Sequence, residues 1–171
     1  MTPGCVVWLT GLPSSGKSTL GVRLRDRLLA AGRCCALLDG DEVRDALVPR
    51  PGYSAEERDA FYATLANLAA LLARGGAVVV VAATAHRRAY RERARALAPR
   101  FLEVHVDVDP AECVRRDAKG LYAAARAGGT GELPGAGVAY EPPTSPDLIA
   151  RGGEDDAALA DLLARLAVPA P

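Results

Sequence analysis

The chain has 171 residues, half of them hydrophobic and a quarter charged, with 21 Lys plus Arg balanced by 21 Asp plus Glu. That length and mix fit a single soluble domain, 1–171, with one sizeable core. A formal net charge of zero excludes a bulk attraction to nucleic acid or to an acidic membrane surface. The longest apolar run, Ala77 to Ala83, is far too short to span a bilayer.

The first predicted strand, Cys5 to Leu9, is an unbroken apolar run of the kind found where both faces of a parallel sheet are covered. It leads into Gly11-Leu12-Pro13-Ser14-Ser15-Gly16-Lys17-Ser18-Thr19, which fits the phosphate-loop pattern G-x-x-x-x-G-K-S/T in its strand-loop-helix context. Glycines are needed there because successive N–H groups must curl inward onto phosphate oxygens, and a Cβ would block the approach. The opening turn of the following helix adds positive potential. Lys17 is expected to reach the β- and γ-phosphates of ATP, and Ser18 to ligate Mg²⁺. A loop beginning at residue 11 leaves no room for a signal peptide, so the expected location is cytoplasmic. Cys5, Cys34, Cys35 and Cys113 show no metal-ligand spacing, and most read as small buried hydrophobes in a reducing compartment.

A helix from Lys17 to Ala31 carries Leu20, Leu24, Leu28 and Leu29 on its apolar side and stops at Gly32. Cys34 to Leu38 repeats the buried-strand pattern and ends in Asp39-Gly40-Asp41. The resulting βαβ unit puts both aspartates at a strand's carboxyl end, facing the phosphate loop. One or two helical turns follow over Glu42–Leu47. Ser54 and Glu57 have capping-box spacing at the head of a helix running to Arg74, with Phe61, Leu65, Leu68, Leu71 and Leu72 inside. Val78 to Val81 is predicted as a central strand, with Thr84-Ala85-His86-Arg87-Arg88 at its active end. A basic helix to Ala98 follows, on which Arg91, Arg93 and Arg95 read as a solvated face; Phe101–Val106 is the next strand.

Pro110 to Asp117 reads as a helix, and the Gly- and Pro-rich stretch that continues to Pro146 reads as a lid, roughly 117–146. A short strand at Leu148–Ala150, a helix over Asp155–Leu166 and a tail, Val168 to Pro171, complete the chain. The fold class is therefore α/β: a three-layer phosphate-loop NTPase fold, a parallel sheet with helices on both faces and a lid. No N-K-x-D segment marks a regulatory GTPase, which leaves a small-molecule kinase as the reading.

Beyond the phosphate loop, Leu38-Asp-Gly-Asp-Glu-Val-Arg44, Gly52-Tyr-Ser-Ala-Glu-Glu-Arg58, Arg116-Asp-Ala-Lys-Gly-Leu-Tyr122 and Tyr140-Glu-Pro-Pro143 stand in order along the chain. This series resembles the adenylylsulfate (APS) kinases over nearly the whole length. The resemblance implies transfer of the ATP γ-phosphate to the 3′-hydroxyl of adenosine 5′-phosphosulfate, giving PAPS. It also implies a small-molecule partner, a homodimer, and neither nucleic acid nor membrane.

Carried over by position, the resemblance makes Asp41 the group beside the acceptor hydroxyl and Asp39 a helper for Mg²⁺ through water. Arg44 and Arg58 become acceptor contacts, Tyr53 an aromatic against its adenine, and Lys119 a lid lysine. Arg87 matches an arginine after the third strand, and Thr84 a serine sometimes described as phosphorylated. Four positions depart from the family pattern: Phe61 stands for an asparagine, Ala63 and Thr64 for two arginines, and Leu133 for the lid phenylalanine. Two further readings fit the same residues, a kinase of this fold acting on another hydroxyl-bearing metabolite and a non-catalytic nucleotide-binding protein.

Overall fold

The structure is a computed structural model that describes residues 4–128 and 133–167. Its elements are β1 (Cys5–Thr10), α1 (Lys17–Ala30), β2 (Cys35–Asp39), α2 (Gly40–Ala46), α3 (Ala55–Arg74), β3 (Val78–Ala82) and α4 (Arg88–Leu97). There follow β4 (Phe101–Val106), α5 (Pro110–Arg116), α6 (Leu121–Arg126), β5 (Leu133–Pro134), β6 (Gly137–Val138), β7 (Leu148–Ala150) and α7 (Asp156–Arg165). The main sheet runs β2-β3-β1-β4-β7, all parallel, in register Val7 to Val80 and Val7 to Leu102 around its middle strand.

The apolar runs are unbroken because each strand feeds two cores. Val7 and Leu9 of β1 and Val78 and Val80 of β3 pack with Leu20, Leu24 and Leu28 of α1 and Leu159 and Leu162 of α7. Val6, Trp8, Val79 and Val81 pack on the other face with Phe61, Leu65 and Ala69 of α3 and Tyr90 and Ala94 of α4. This is the expected three-layer arrangement.

Four local expectations are corrected. β2 is an edge strand with one neighbour, so its residues are only half-buried and Cys34 before it is exposed. Leu29, Leu71 and Leu72 are 50%, 60% and 39% exposed. On α3 the sheet-facing stripe is instead Ala66, Ala69, Ala70 and Ala73, whose small side chains let the helix sit close to the strands. Arg91, read as solvated, is 1% exposed, because each of its three guanidinium nitrogens donates to a partner inside the protein.

The lid is the fourth. It contains helix α6, capped by the Asp117 carboxylate, which accepts from Tyr122 N and Ala123 N at 3.0 Å each. The β5–β6 pair closes through Gly135 N to Val138 O at 2.8 Å. The lid residues 129–132 and the predicted tail Val168 to Pro171 lie outside the described residues.

Because β1 and β2 are separated by β3, the chain must cross over between them, and the carboxyl ends of these three strands open onto one crevice. The phosphate loop, the Asp39–Asp41 turn and the Thr84–His86 segment meet there.

Candidate active site

The loop between β1 and α1 is held by backbone approaches that exclude side chains. A Cβ at Gly16, where φ is +101°, would stand 2.4 Å from Gly153 N; one at Gly11 would stand 2.5 Å from Val106 O. Lys17 Nζ donates to Gly11 O at 2.9 Å and Leu12 O at 2.8 Å. Burial lowers the Lys17 pKa to about 8. An ammonium on a glycine-bounded loop at the head of a helix is a site for an anionic polyphosphate.

Ser18 Oγ donates to Asp39 Oδ2 at 2.5 Å, while Asp39 Oδ1 accepts from Asp41 N at 3.0 Å and so caps α2. No cluster of three or more metal-ligating side chains occurs among the described residues. A hydroxyl and a carboxylate alone fit Mg²⁺, a hard cation that keeps waters and takes its other oxygens from substrate phosphates.

The lid rests on the phosphate loop itself. Tyr122 Oη donates to Pro13 O at 3.0 Å, Ala118 N donates to Ser14 Oγ at 3.3 Å, and Gly135 packs on the Leu12 side chain. Lys119 forms an ion pair with Asp41 across the cleft mouth. The lid thus delivers a cation to the carboxylate expected beside the acceptor.

Across the crevice, Arg44 is 4% exposed. Its guanidinium carbon lies 3.9 Å from the Phe61 ring centroid and 4.4 Å from that of Tyr53. Its Nη1 donates to Gly52 O at 2.6 Å. Two rings and a carbonyl fix the fork in place, and stacking on Phe61 is the local consequence of the departure noted at that position. Arg58 is 8% exposed and lies 5.8 Å from the Tyr53 ring.

Lys17, Ser18, Asp39, Asp41, Arg44, Tyr53, Arg58, Phe61, Thr84, Lys119 and Leu133 all line one cleft of about 720 Å³. Pro13, Ser14, Gly16 and Thr19 line it too. Gly11, Leu12 and Ser15 do not line it, and Arg87 stands apart as the exposed N-cap of α4. Sequence reasoning missed Arg50 as a cleft residue and set His86 at the active end of the third strand without giving it a place in the site. Arg50 sits in a loop with no periodic signal, and His86 could have been found from its place beside Thr84.

His86 is 4% exposed between Tyr62 and Tyr90. Burial, with Arg58 and Arg87 adding to it, lowers its pKa from 6.5 to about 4. The unfolded chain therefore takes up a proton from about pH 6.5 downward that the folded one refuses until about pH 4, so stability falls as pH drops through that window. Melting curves between those limits are expected to show a shallower loss for His86→Gln than for wild type; equal slopes would remove His86 from the acid response.

An anion-binding loop with its lysine, a carboxylate, two buried arginines and a lid, gathered in one cleft, define a phosphate-loop kinase of small molecules. The profile of the family described as adenylylsulphate kinase matches residues 3–151, and the chain belongs to that family. An adenylyl-sulfate kinase of Picosynechococcus sp. is 41% identical over 148 residues, covering 86% of this chain and 84% of its own. A probable bifunctional SAT/APS kinase 2 of Sorangium cellulosum is 40% identical over 165 residues; these are 95% of this chain and only 28% of that protein. The Mycobacterium tuberculosis APS kinase CysC, solved in complex with AMPPNP and APS, matches with a TM-score of 0.89 at 34% identity, covering 96% of this chain and 98% of that one. No helix among the described residues is long and apolar enough to cross a membrane.

Proposed function

We propose that this chain is an ATP-dependent adenylylsulfate kinase, which phosphorylates the 3′-hydroxyl of adenosine 5′-phosphosulfate to give PAPS and ADP. The carrying observation is that Lys17 on the donor side and Asp41, Arg44 and Arg58 on the acceptor side share one lidded cleft. Lys17 and the loop amides hold the ATP phosphates. Arg44 and Arg58 hold the phosphosulfate oxygens of the acceptor, for which guanidinium forks are suited. Tyr53 flanks the adenine side. Asp41 orients the hydroxyl and takes its proton as the oxygen bonds to the γ-phosphorus and the bond to the ADP oxygen breaks. Ser18, with Asp39 behind it, would hold Mg²⁺, which neutralises charge on the phosphate oxygens when bound.

The transfer is direct, with no covalent role for Thr84. A homodimer, the assembly the resemblance implies, belongs to the same proposal; one related APS kinase, from Thiobacillus denitrificans, is described as hexameric. The free thiols suit the cytoplasm.

The test offers purified protein Mg·ATP with APS and, separately, with a panel of sugars and aminoglycosides, following ADP release and product mass. ADP and PAPS in equal amounts with APS alone are expected. Release with another alcohol only would make the chain a kinase of different specificity, and ATP binding without release on any acceptor would make it a non-catalytic binder.

A further inference from the structure

Arg91 takes no part in the chemistry above, yet it is buried as deeply as the core leucines. A buried guanidinium is tolerated only where its donors are met. Nε donates to Glu103 Oε1 at 2.7 Å, Nη1 to Ala85 O at 2.5 Å and Nη2 to Glu141 O at 2.7 Å. The two carbonyls belong to different parts of the machine. Ala85 lies between the cleft-lining Thr84 and His86, whereas Glu141 is on the returning end of the lid.

The same two segments are fastened beside Arg91. Glu141 N donates to His86 O at 2.8 Å, and Arg88 N donates to the Glu141 carboxylate at 2.8 Å. Tyr140 places its ring centroid 5.9 Å from the Arg91 guanidinium and its hydroxyl 3.0 Å from Thr10 Oγ1. Thr10 Oγ1 donates to Thr84 O at 2.6 Å. A hydroxyl has one proton, so Tyr140 must be the donor to Thr10. Thr10 immediately precedes Gly11 of the phosphate loop.

We propose that Arg91 and Tyr140 are positioning residues that clamp the returning end of the lid to the cleft floor and to the strand end before the phosphate loop. They couple lid placement to the geometry of the Thr84–His86 wall. A simple structural ion pair would support the core alone; this one ties the cleft-lining Thr84–His86 wall to the returning end of the lid and, through Tyr140 and Thr10, to the strand that feeds the phosphate loop. The kinetic readout rests on the kinase reading above, while the exchange readout does not.

The test compares Arg91→Lys, which keeps the charge but lacks the planar fork, with Tyr140→Phe, which removes one hydroxyl. In Tyr140→Phe, amide hydrogen exchange over 137–142 is expected to rise about tenfold, the worth of one hydrogen bond, with 101–106 unchanged. KM for APS is expected to rise and kcat to fall, each about tenfold in Arg91→Lys, with KM for ATP held within about twofold. Lowered melting temperature with wild-type kinetics and wild-type exchange over 137–142 would overturn the proposal. If Arg91→Lys does not fold, Tyr140→Phe decides alone by the same readouts. Faster exchange in a protein whose wild type shows no turnover on APS would sustain the clamp and sink the assignment of acceptor.

Discussion

Asp41→Asn is expected to lower kcat with APS by roughly 10²–10⁴-fold, the usual worth of a positioned general base, while ATP affinity changes by only a few-fold. Asparagine preserves the size and the place on the first turn of α2, yet its amide cannot take up the hydroxyl proton. Asp41 binds no phosphate-loop group in the structure; its partner is Lys119 of the lid. Removal of the charge therefore breaks no contact of the donor half of the cleft, takes away one of the carboxylates that favour the charged form of Lys17, and frees one lid cation. Single-turnover kinetics with Mg·ATP and APS, alongside calorimetry with Mg·ATP alone, measure the two halves separately. A kcat within about tenfold of wild type would assign the proton to another acceptor.

Lys17→Ala is expected to weaken both halves at once. The ammonium is partly buried at the base of the loop, where it is held by Gly11 O and Leu12 O and its charge is less screened than in open water. Loss of one preorganised cationic donor to a transferring phosphoryl group costs on the order of 10²–10³-fold in turnover, and here KM for ATP should rise as well. A pH profile gives an independent sign. Burial lowers the Lys17 pKa to about 8, so kcat/KM for ATP should fall as pH rises past that value and the free enzyme loses its ammonium. A flat profile from pH 7 to 9.5, or an alanine variant with unchanged KM for ATP, would take Lys17 out of donor binding.

Elements with strong local signals could be read before the fold was known. The glycine spacing and the lysine after it located the phosphate loop, and the continuous valine runs correctly implied strands buried on both faces. The alanine stripe of α3 was hidden because the exposed Leu71 and Leu72 outweigh Ala66 and Ala69 in apolar bulk. Helix α6 was hidden by the glycines around it, which a pattern reader takes for uninterrupted loop. Arg91 was missed for a different reason: an arginine in an arginine-rich helix looks solvated. Its spacing from Ala94 and its place beside Tyr90 were the available signal, since both neighbours are buried. The stacking of Arg44 on Phe61 also needed the fold, because it joins two helices through a loop turn that composition does not encode.

The contact between Gly16 and Gly153 has an evolutionary corollary. A Cβ added to Gly153 would lie 2.6 Å from Thr19 Cβ and 2.9 Å from Gly16 O, so each position is walled in by the other's main chain or by the first turn of α1. At Gly16 the obstacle is all backbone, and at Gly153 it is the Thr19 side chain together with Gly16 O, so trimming side chains would not clear both positions. The two sites should behave as a single locus: in a library randomised at both, functional clones would converge on the glycine–glycine pair, and neither mutation would find a suppressor at its counterpart.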